Sequence, residues 1–218
     1  MSAESFKRAR DRWQIEREAK IFLSKKGIAK WKERLEQEGL RKFHDAIIDT
    51  RWVRVPDIRG RFVSARLRTA TEKKDPKQFL WAIKVRTSAH SEAKHIKECY
   101  ELEGSGDSMK SVRKELKKHL RAVLGKETPD KLIEDRRLIK RRVSYETQDL
   151  NHSLFGVRFD IDTLETVNGK KIDPPIHILE LEGLSETLIL SATKHLGIDP
   201  QKLSSISGKV LLKETGYL

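Results

Sequence analysis

Polar and apolar residues alternate along much of this chain with a period of two, the mark of strands whose successive side chains point to opposite faces. In QIEREAKIFL (14–23) the charged Glu16, Glu18 and Lys20 fall at every second position. The same spacing returns with Arg66 and Arg68, Lys84 and Arg86, Glu101 and Glu103, Lys140 and Arg142, Asp160 and Asp162, and Glu180 and Glu182. Mostly apolar residues stand between them, among them Leu67, Ile83, Phe159, Ile161, Leu179 and Leu181. AIIDTRWV (46–53) reads as a further strand.

Helical spacing takes over in three places. SKKGIAKWKERLEQEG (24–39) sets Ile28, Trp31 and Leu35 on one face, with Gly39 as its stop. MKSVRKELKKHLRAVLG (109–125) carries a stripe of Val112, Leu116, Leu120, Val123 and Leu124 beneath Lys and Arg, which predicts an amphipathic helix packed on a sheet. SETLILSATKHLGI (185–198) offers Ser185 as an N-cap and Gly197 near its end. VPDIRG, TEKKDPKQ, GSGDS and VNGKKIDPP read as turns or links, and the tail from Asp199 as one short helix that then frays. Residues 1–12 are expected to be a loose basic leader and 13–218 a single domain.

A half-buried sheet also alternates, with one face on the core and one in water. That account leaves the choice of polar residue unexplained, because Asp and Glu are poor strand residues and like charges on one strand face repel. A closed antiparallel barrel, apolar face outward under the helices, would instead gather every charged row into one lumen. Buried charges are costly unless they pair or bind ions, so such a lumen is a binding site.

Composition narrows the ligand. The 218 residues hold 46 Lys and Arg against 33 Asp and Glu, a net charge of +13, which favours a polyanionic partner. The basic surface, including the 110–121 run, leaves nucleic acid as a conceivable second partner but not the expected one. A single cysteine, Cys99, excludes an internal disulfide and a cysteine-based zinc site. The His residues lack ligand spacing, no glycine-rich phosphate loop is present, and no long apolar run suggests a membrane, so a cytoplasmic location is expected. Trp31 is expected in the core, with Trp13, Trp52 and Trp81 packing barrel to helix.

The two signs of charge give the chemistry. Clustered carboxylates suit Mg²⁺ or Mn²⁺, hard cations that take oxygen ligands. Clustered Arg and Lys suit a chain of phosphates. Together they describe a site where a metal-loaded polyphosphate undergoes phosphoryl transfer by positioning and charge stabilisation.

At this point the residues resemble a known family. EREAK at Glu16–Lys20 is similar to the ExExK signature of the CYTH superfamily, the triphosphate tunnel metalloenzymes. Later motifs keep that order: Asp49–Thr50, Arg66–Arg68, Lys84, Glu101–Glu103, Lys140 with Arg142, Asp162, and Glu180–Glu182 before a helix. The resemblance implies an α+β fold, an eight-stranded antiparallel tunnel covered outside by helices, binding a triphosphate and Mg²⁺ or Mn²⁺. It implies Glu16, Glu18, Asp162, Glu180 and Glu182 as metal ligands. Lys20, Arg66, Arg68, Lys84 and Arg142, extended by Arg86 and Lys140, would grip the phosphates, with Glu18 and Lys20 nearest the reaction. The activity it implies is hydrolysis of inorganic or organic triphosphate, thiamine triphosphate included. The alternatives are a class IV-type adenylyl cyclase and, from another class, a non-catalytic polyphosphate- or RNA-binding module.

Overall fold

The computed structural model describes residues 14–56, 62–72, 75–86, 96–206 and 208–217, so the expected leader lies outside the described residues. Each alternating stretch forms a strand: β1 (Gln14–Leu23), β2 (Arg41–Val53), β3 (Phe62–Glu72), β4 (Gln78–Arg86), β5 (Lys97–Gly106), β6 (Glu134–Glu146), β7 (Val157–Val167) and β8 (Lys170–Gly183). They close a barrel in the order β1-β5-β4-β3-β2-β6-β7-β8, every pair antiparallel. β1 makes the closure, taking β5 along residues 14–18 and β8 along 17–23. Past Glu18 its free edge is met by the tail: the Lys20 N–H donates to Ser204 O at 2.9 Å, and the Ser204 N–H donates back to Lys20 O at 2.8 Å. That pairing satisfies backbone groups that would otherwise stand open at a sheet edge.

The apolar members of each alternation face outward and are buried by helices. α1 (Lys25–Gln37) and α3 (Glu186–His195) contribute Leu35, Ile189 and Ala192 to a cluster with Ala19, Ile21, Phe159, Ile161, Leu179 and Leu181. α2 (Met109–Leu124) lays Val112, Leu116, Leu120 and Leu124 over Ala65, Leu67, Trp81 and Ile83. Burying each such leucine contributes about 1.5–3 kcal/mol. α2 is started by a capping box, Ser108 and Ser111 each accepting from the other's backbone N–H. Under it Trp81 stacks on His119, ring centroids 4.6 Å apart, and lies against Gly104, where a Cβ would sit 2.8 Å from the indole. Only glycine permits that approach.

Three boundaries differ from the sequence reading. β2 begins already at Arg41, because β6 is long enough to pair with it there (Arg41↔Glu146). VNGKKIDPP holds only a tight turn at Asn168 and Gly169, both with positive φ, and resumes as strand from Lys170 through the cis Asp173–Pro174 bond. The Leu154–Gly156 stretch, expected to open a strand, is a turn ahead of β7.

The tail also does not fray. α4 (Gly208–Glu214) packs Leu211 and Leu212 against Leu138, Leu164 and Ile178. The Tyr217 hydroxyl accepts from Asp173 N at 3.0 Å and donates to Asp173 O at 3.2 Å. Leu138, Leu164 and Ile178 line the barrel cavity two residues beyond Lys140, Asp162 and Glu180, so α4 floors that end of the lumen. Among the described residues no helix is long and apolar enough to cross a membrane.

Candidate active site in the barrel lumen

With the apolar rows turned outward, the charged rows turn inward by necessity. The lumen is a cavity of about 1060 Å³. Glu16, Glu18, Lys20, Arg66, Arg68, Lys84, Lys140, Arg142, Asp162, Glu180 and Glu182 all line it, as do Glu101 and Glu103. Arg86 ends β4 opposite Phe62, and its side chain lies outside the described residues.

One wall is acidic. Glu16, Glu18 and Glu180 are buried, with a carboxylate oxygen from each lying within 4.8 Å of the others. Lysines hold them: Lys20 Nζ is 2.8 Å from Glu18 and 3.6 Å from Glu180, Lys97 pairs with Glu18, and Lys84 pairs with Glu16 and, at 3.1 Å, with Glu101. Burial opposes ionisation of Glu16, but the Lys84 charge together with the hydrogen bonds from Lys84 and Cys99 overcomes it and brings the carboxyl down to about 2. Glu18 is likewise buried, and Lys20 and Lys97 hold it well below the usual carboxylate range. Lys20 is buried too, and Glu18 and Glu180 keep it protonated by raising its value. Glu182 goes the other way: burial pushes it up to about 8, Arg158 opposes, and Glu16, Glu180 and Asp160 add to the rise. Three buried carboxylates form the all-oxygen donor set that Mg²⁺ and Mn²⁺ take, so these residues fit such an ion.

Opposed to this wall are cations of two kinds. Arg142 is saturated: its Nε and Nη2 grip Asp162 at 2.7 Å each, Nη2 reaches Glu180 at 3.1 Å, and Nη1 pairs with Asp160. Lys140 joins it on Asp162, and Arg158 links Asp160 to Glu182. Arg66 and Arg68 on β3 carry no ion pair among the described residues, and the buried Arg66 Nε has no hydrogen-bond partner. Burial, with the neighbouring Arg66 charge, lowers the Arg68 value. A buried guanidinium without a partner is costly, and an anion between these two arginines would relieve it.

The lumen also holds residues that the motif reading passed over. Lys97 and Cys99 continue the Glu101–Glu103 row backward at the same spacing, and Arg158 precedes Asp160 in the same way, so the period of two was their signal. Cys99 donates its thiol to Glu16 at 3.1 Å, and burial pushes that thiol up to about 12. The Asp49–Thr50 pair is split by the strand. Thr50 lines the lumen, whereas Asp49 faces out to Arg137 at 2.9 Å. Trp81 packs barrel to helix as expected, Trp52 packs against the cluster that holds Leu211 and Leu212 of α4 and also lines the cavity, and Trp13 lies outside the described residues. His195 is exposed and bound to Glu38 at 2.7 Å.

Neither a protein-family model nor a curated protein matches this sequence. Solved structures match in fold. HpAC1 from Hippeastrum, a protein with a dominant triphosphatase activity, superposes with a TM-score of 0.62 at 14% identity over 94% of this chain and 97% of that one. The PH1819 protein from Pyrococcus horikoshii OT3 gives 0.58 at 17%, over 92% and 99%. The Mimivirus capping enzyme triphosphatase gives 0.52 at 12%, over 91% and 94%. At these identities the likeness is one of fold. The eight-stranded tunnel that the motif order implied is the architecture this chain has.

Proposed function

We propose that this protein is a divalent-metal-dependent triphosphatase. The observation that carries the reading is the coexistence, in one cavity, of Arg66 and Arg68, without ion pairs among the described residues, with the Glu16–Glu18–Glu180 cluster. The first pair calls for an anion and the second group for a cation, and a metal-bound triphosphate is both. Two neighbours in fold, HpAC1 and the Mimivirus enzyme, are triphosphatases, which supports the reading.

In this reading Arg66 and Arg68 take the non-bridging phosphate oxygens, a task for which the planar guanidinium fork is suited. Lys84, Lys140 and Arg142 swing from their carboxylates to the phosphates, with Arg86 assisting from the end of β4. Glu16, Glu18 and Glu180, with Asp162 and Glu182 as further carboxylates, would hold Mg²⁺ or Mn²⁺. When bound, such an ion supplies Lewis-acid polarisation of a phosphoryl oxygen and a lowered pKa for its water. Glu18 stays ionised and orients the attacking water by accepting its hydrogen bond. Lys20 stays protonated and balances charge on the phosphoryl oxygens. Water oxygen bonds to the terminal phosphorus, the bridging P–O bond breaks, and orthophosphate leaves with the shortened chain, the water's proton passing to solvent. Carried out away from bulk water, each of these charge interactions is strengthened.

The test is product release from inorganic triphosphate, ATP and thiamine triphosphate, with and without Mg²⁺ or Mn²⁺, for the parent protein and Glu16→Gln. Metal-dependent orthophosphate release that the folded variant lacks is expected. Pyrophosphate from ATP would replace hydrolysis by a cyclase reaction, and no turnover would leave a binding module.

A further inference from the structure

We infer that His152 is a pH-sensitive clasp: as a neutral imidazole it ties the β6–β7 connection, one lip of the tunnel mouth, to the end of α1, and on taking a proton it lets that lip go. The inference concerns access to the lumen and stands apart from the triphosphatase reading.

The connection runs from Thr147 to Gly156, and both of its ends line the cavity, through Thr147 and Gln148 on one side and Phe155 and Gly156 on the other. Between them it folds on itself: the Asn151 N–H donates to Asp149 Oδ1 at 2.9 Å, and the Phe155 N–H to His152 O at 2.9 Å. Leu154, fully buried, roots it in the cluster that holds Leu35 and Ile189. The His152 ring joins this turn to α1. Its Nδ1 accepts the Leu154 N–H at 3.1 Å, and its Nε2 lies 2.8 Å from the Glu38 carbonyl oxygen, one residue past the helix. A backbone N–H can only donate and a carbonyl can only accept, so the two partners fix the ring between them. Nε2 carries the hydrogen and Nδ1 is bare, which is the neutral form.

A second proton must go to Nδ1, where it meets the Leu154 N–H head on. A buried donor is then stranded against another donor, and the ring can stay only by losing that bond. The end of α1 attracts a cation, but such an attraction at a half-exposed helix end is weaker than the loss. The neighbouring charges are engaged elsewhere. Glu38 commits its carboxylate to His195 Nε2 at 2.7 Å, and His195 Nδ1 lies 3.4 Å from Ser153 Oγ. A protonated His195 keeps its donation to Glu38, so this second tie does not weaken in mild acid. Glu36 accepts from the Tyr145 hydroxyl at 3.1 Å, Arg34 lies over the Trp31 ring at 5.3 Å, and Asp149 is bound within the connection. Of these groups His152 is the one whose bonds need the form that mild acid removes.

The experiment reads amide hydrogen exchange of the full chain by NMR at about pH 7.5 and about pH 5.5, with intrinsic rates divided out, for the parent, His152→Asn, His152→Ala and His195→Gln. In the parent, protection of Leu154, and with it of Phe155 and Val157, should fall roughly tenfold or more at the lower pH, the scale of one stranded donor, while a barrel amide such as Ile161 holds. Asparagine places a carbonyl oxygen where Nδ1 stands and does not titrate, so His152→Asn should keep its Leu154 protection in acid. His152→Ala should lack that protection at both pH values, and His195→Gln should behave as the parent does. Protection that does not change with pH in the parent overturns the clasp, as does an equal fall in His152→Asn or a fall that His195→Gln abolishes. A loss confined to Leu154 would refute release of the lip, and a loss shared by Ile161 would replace local release by unfolding of the whole chain.

Discussion

Lys97 on β5 and Glu18 on β1 stand directly opposite each other in the register and are joined by an ion pair inside the lumen. A cation approaching Glu18 therefore finds an ammonium already there. Lys97→Met should strip that competitor, raising Mn²⁺ affinity in the absence of polyphosphate by roughly tenfold, the scale of one charge-assisted hydrogen bond. Without metal the same variant should lose about 1.5–3 kcal/mol, the scale of one charged hydrogen bond, because buried Glu18 keeps only Lys20. Thermal melting with and without saturating Mn²⁺ checks this, and a deficit that the metal does not repair would contradict it.

Arg66 and Arg142 look alike in sequence but should respond in opposite ways. Arg66→Ala removes a cation with no ion-pair partner among the described residues, so the fold should hold while triphosphate affinity falls roughly 10- to 150-fold, equivalent to about 1.5–3 kcal/mol. Arg142→Ala takes a shared partner from Asp160, Asp162 and Glu180, leaving each with a single cation, and should cost about 3–5 kcal/mol of stability. Calorimetric binding and denaturant melts on both variants would separate the roles, and equal destabilisation would refute the distinction.

Acidity offers a third check. Glu182 is raised from 4.5 to about 8, so its contribution to stability is full below about pH 4.5 and is lost as pH rises through 8. Glu16, lowered from 4.5 to about 2, contributes above pH 4.5 and ceases to as pH falls toward 2. In the reading that counts Glu182 among the metal ligands, metal binding near pH 7 expels its proton. Titrations in buffers of different ionisation enthalpy should show close to one proton released per metal, vanishing well above pH 8 and in Glu182→Gln. Heats that do not depend on the buffer would rule this out.

Gly104→Ala tests the seam between barrel and α2. The new Cβ would press on the Trp81 indole at 2.8 Å and disturb its stacking on His119. A loss of about 1–3 kcal/mol, with an altered near-ultraviolet signal from the tryptophan, is expected. An unchanged melt would mean that the ring has room to yield.

The barrel was legible because a period of two is a local property: whichever way β1 packs, Glu16, Glu18 and Lys20 share a face. What that local rule withholds is company. Arg142 stands opposite Asp162 because β6 adjoins acidic β7, while Arg66 stands opposite Ala82 and Trp52 because β3 lies between strands that offer it no carboxylate. Strand order decides this, and strand order is non-local. The same rule also reads the Asp49–Thr50 pair more strictly than a motif does, since neighbours in a strand point apart. β8 from Lys170 and the docked tail were hidden behind glycine and paired prolines, which signal turns unless a partner strand or a waiting apolar surface recruits them.

Among the described residues, the floor that α4 lays under Leu138, Leu164 and Ile178 closes that end of the passage. In the triphosphatase reading, a polyphosphate chain would then be shortened only from the end inserted first, without threading through to be processed along its length. The freed orthophosphate would lie behind the remainder of its parent molecule and wait for that remainder to withdraw. Turnover in such an enclosure would be paced by departure, and the remnant left by one cycle would compete with the newcomer of the next.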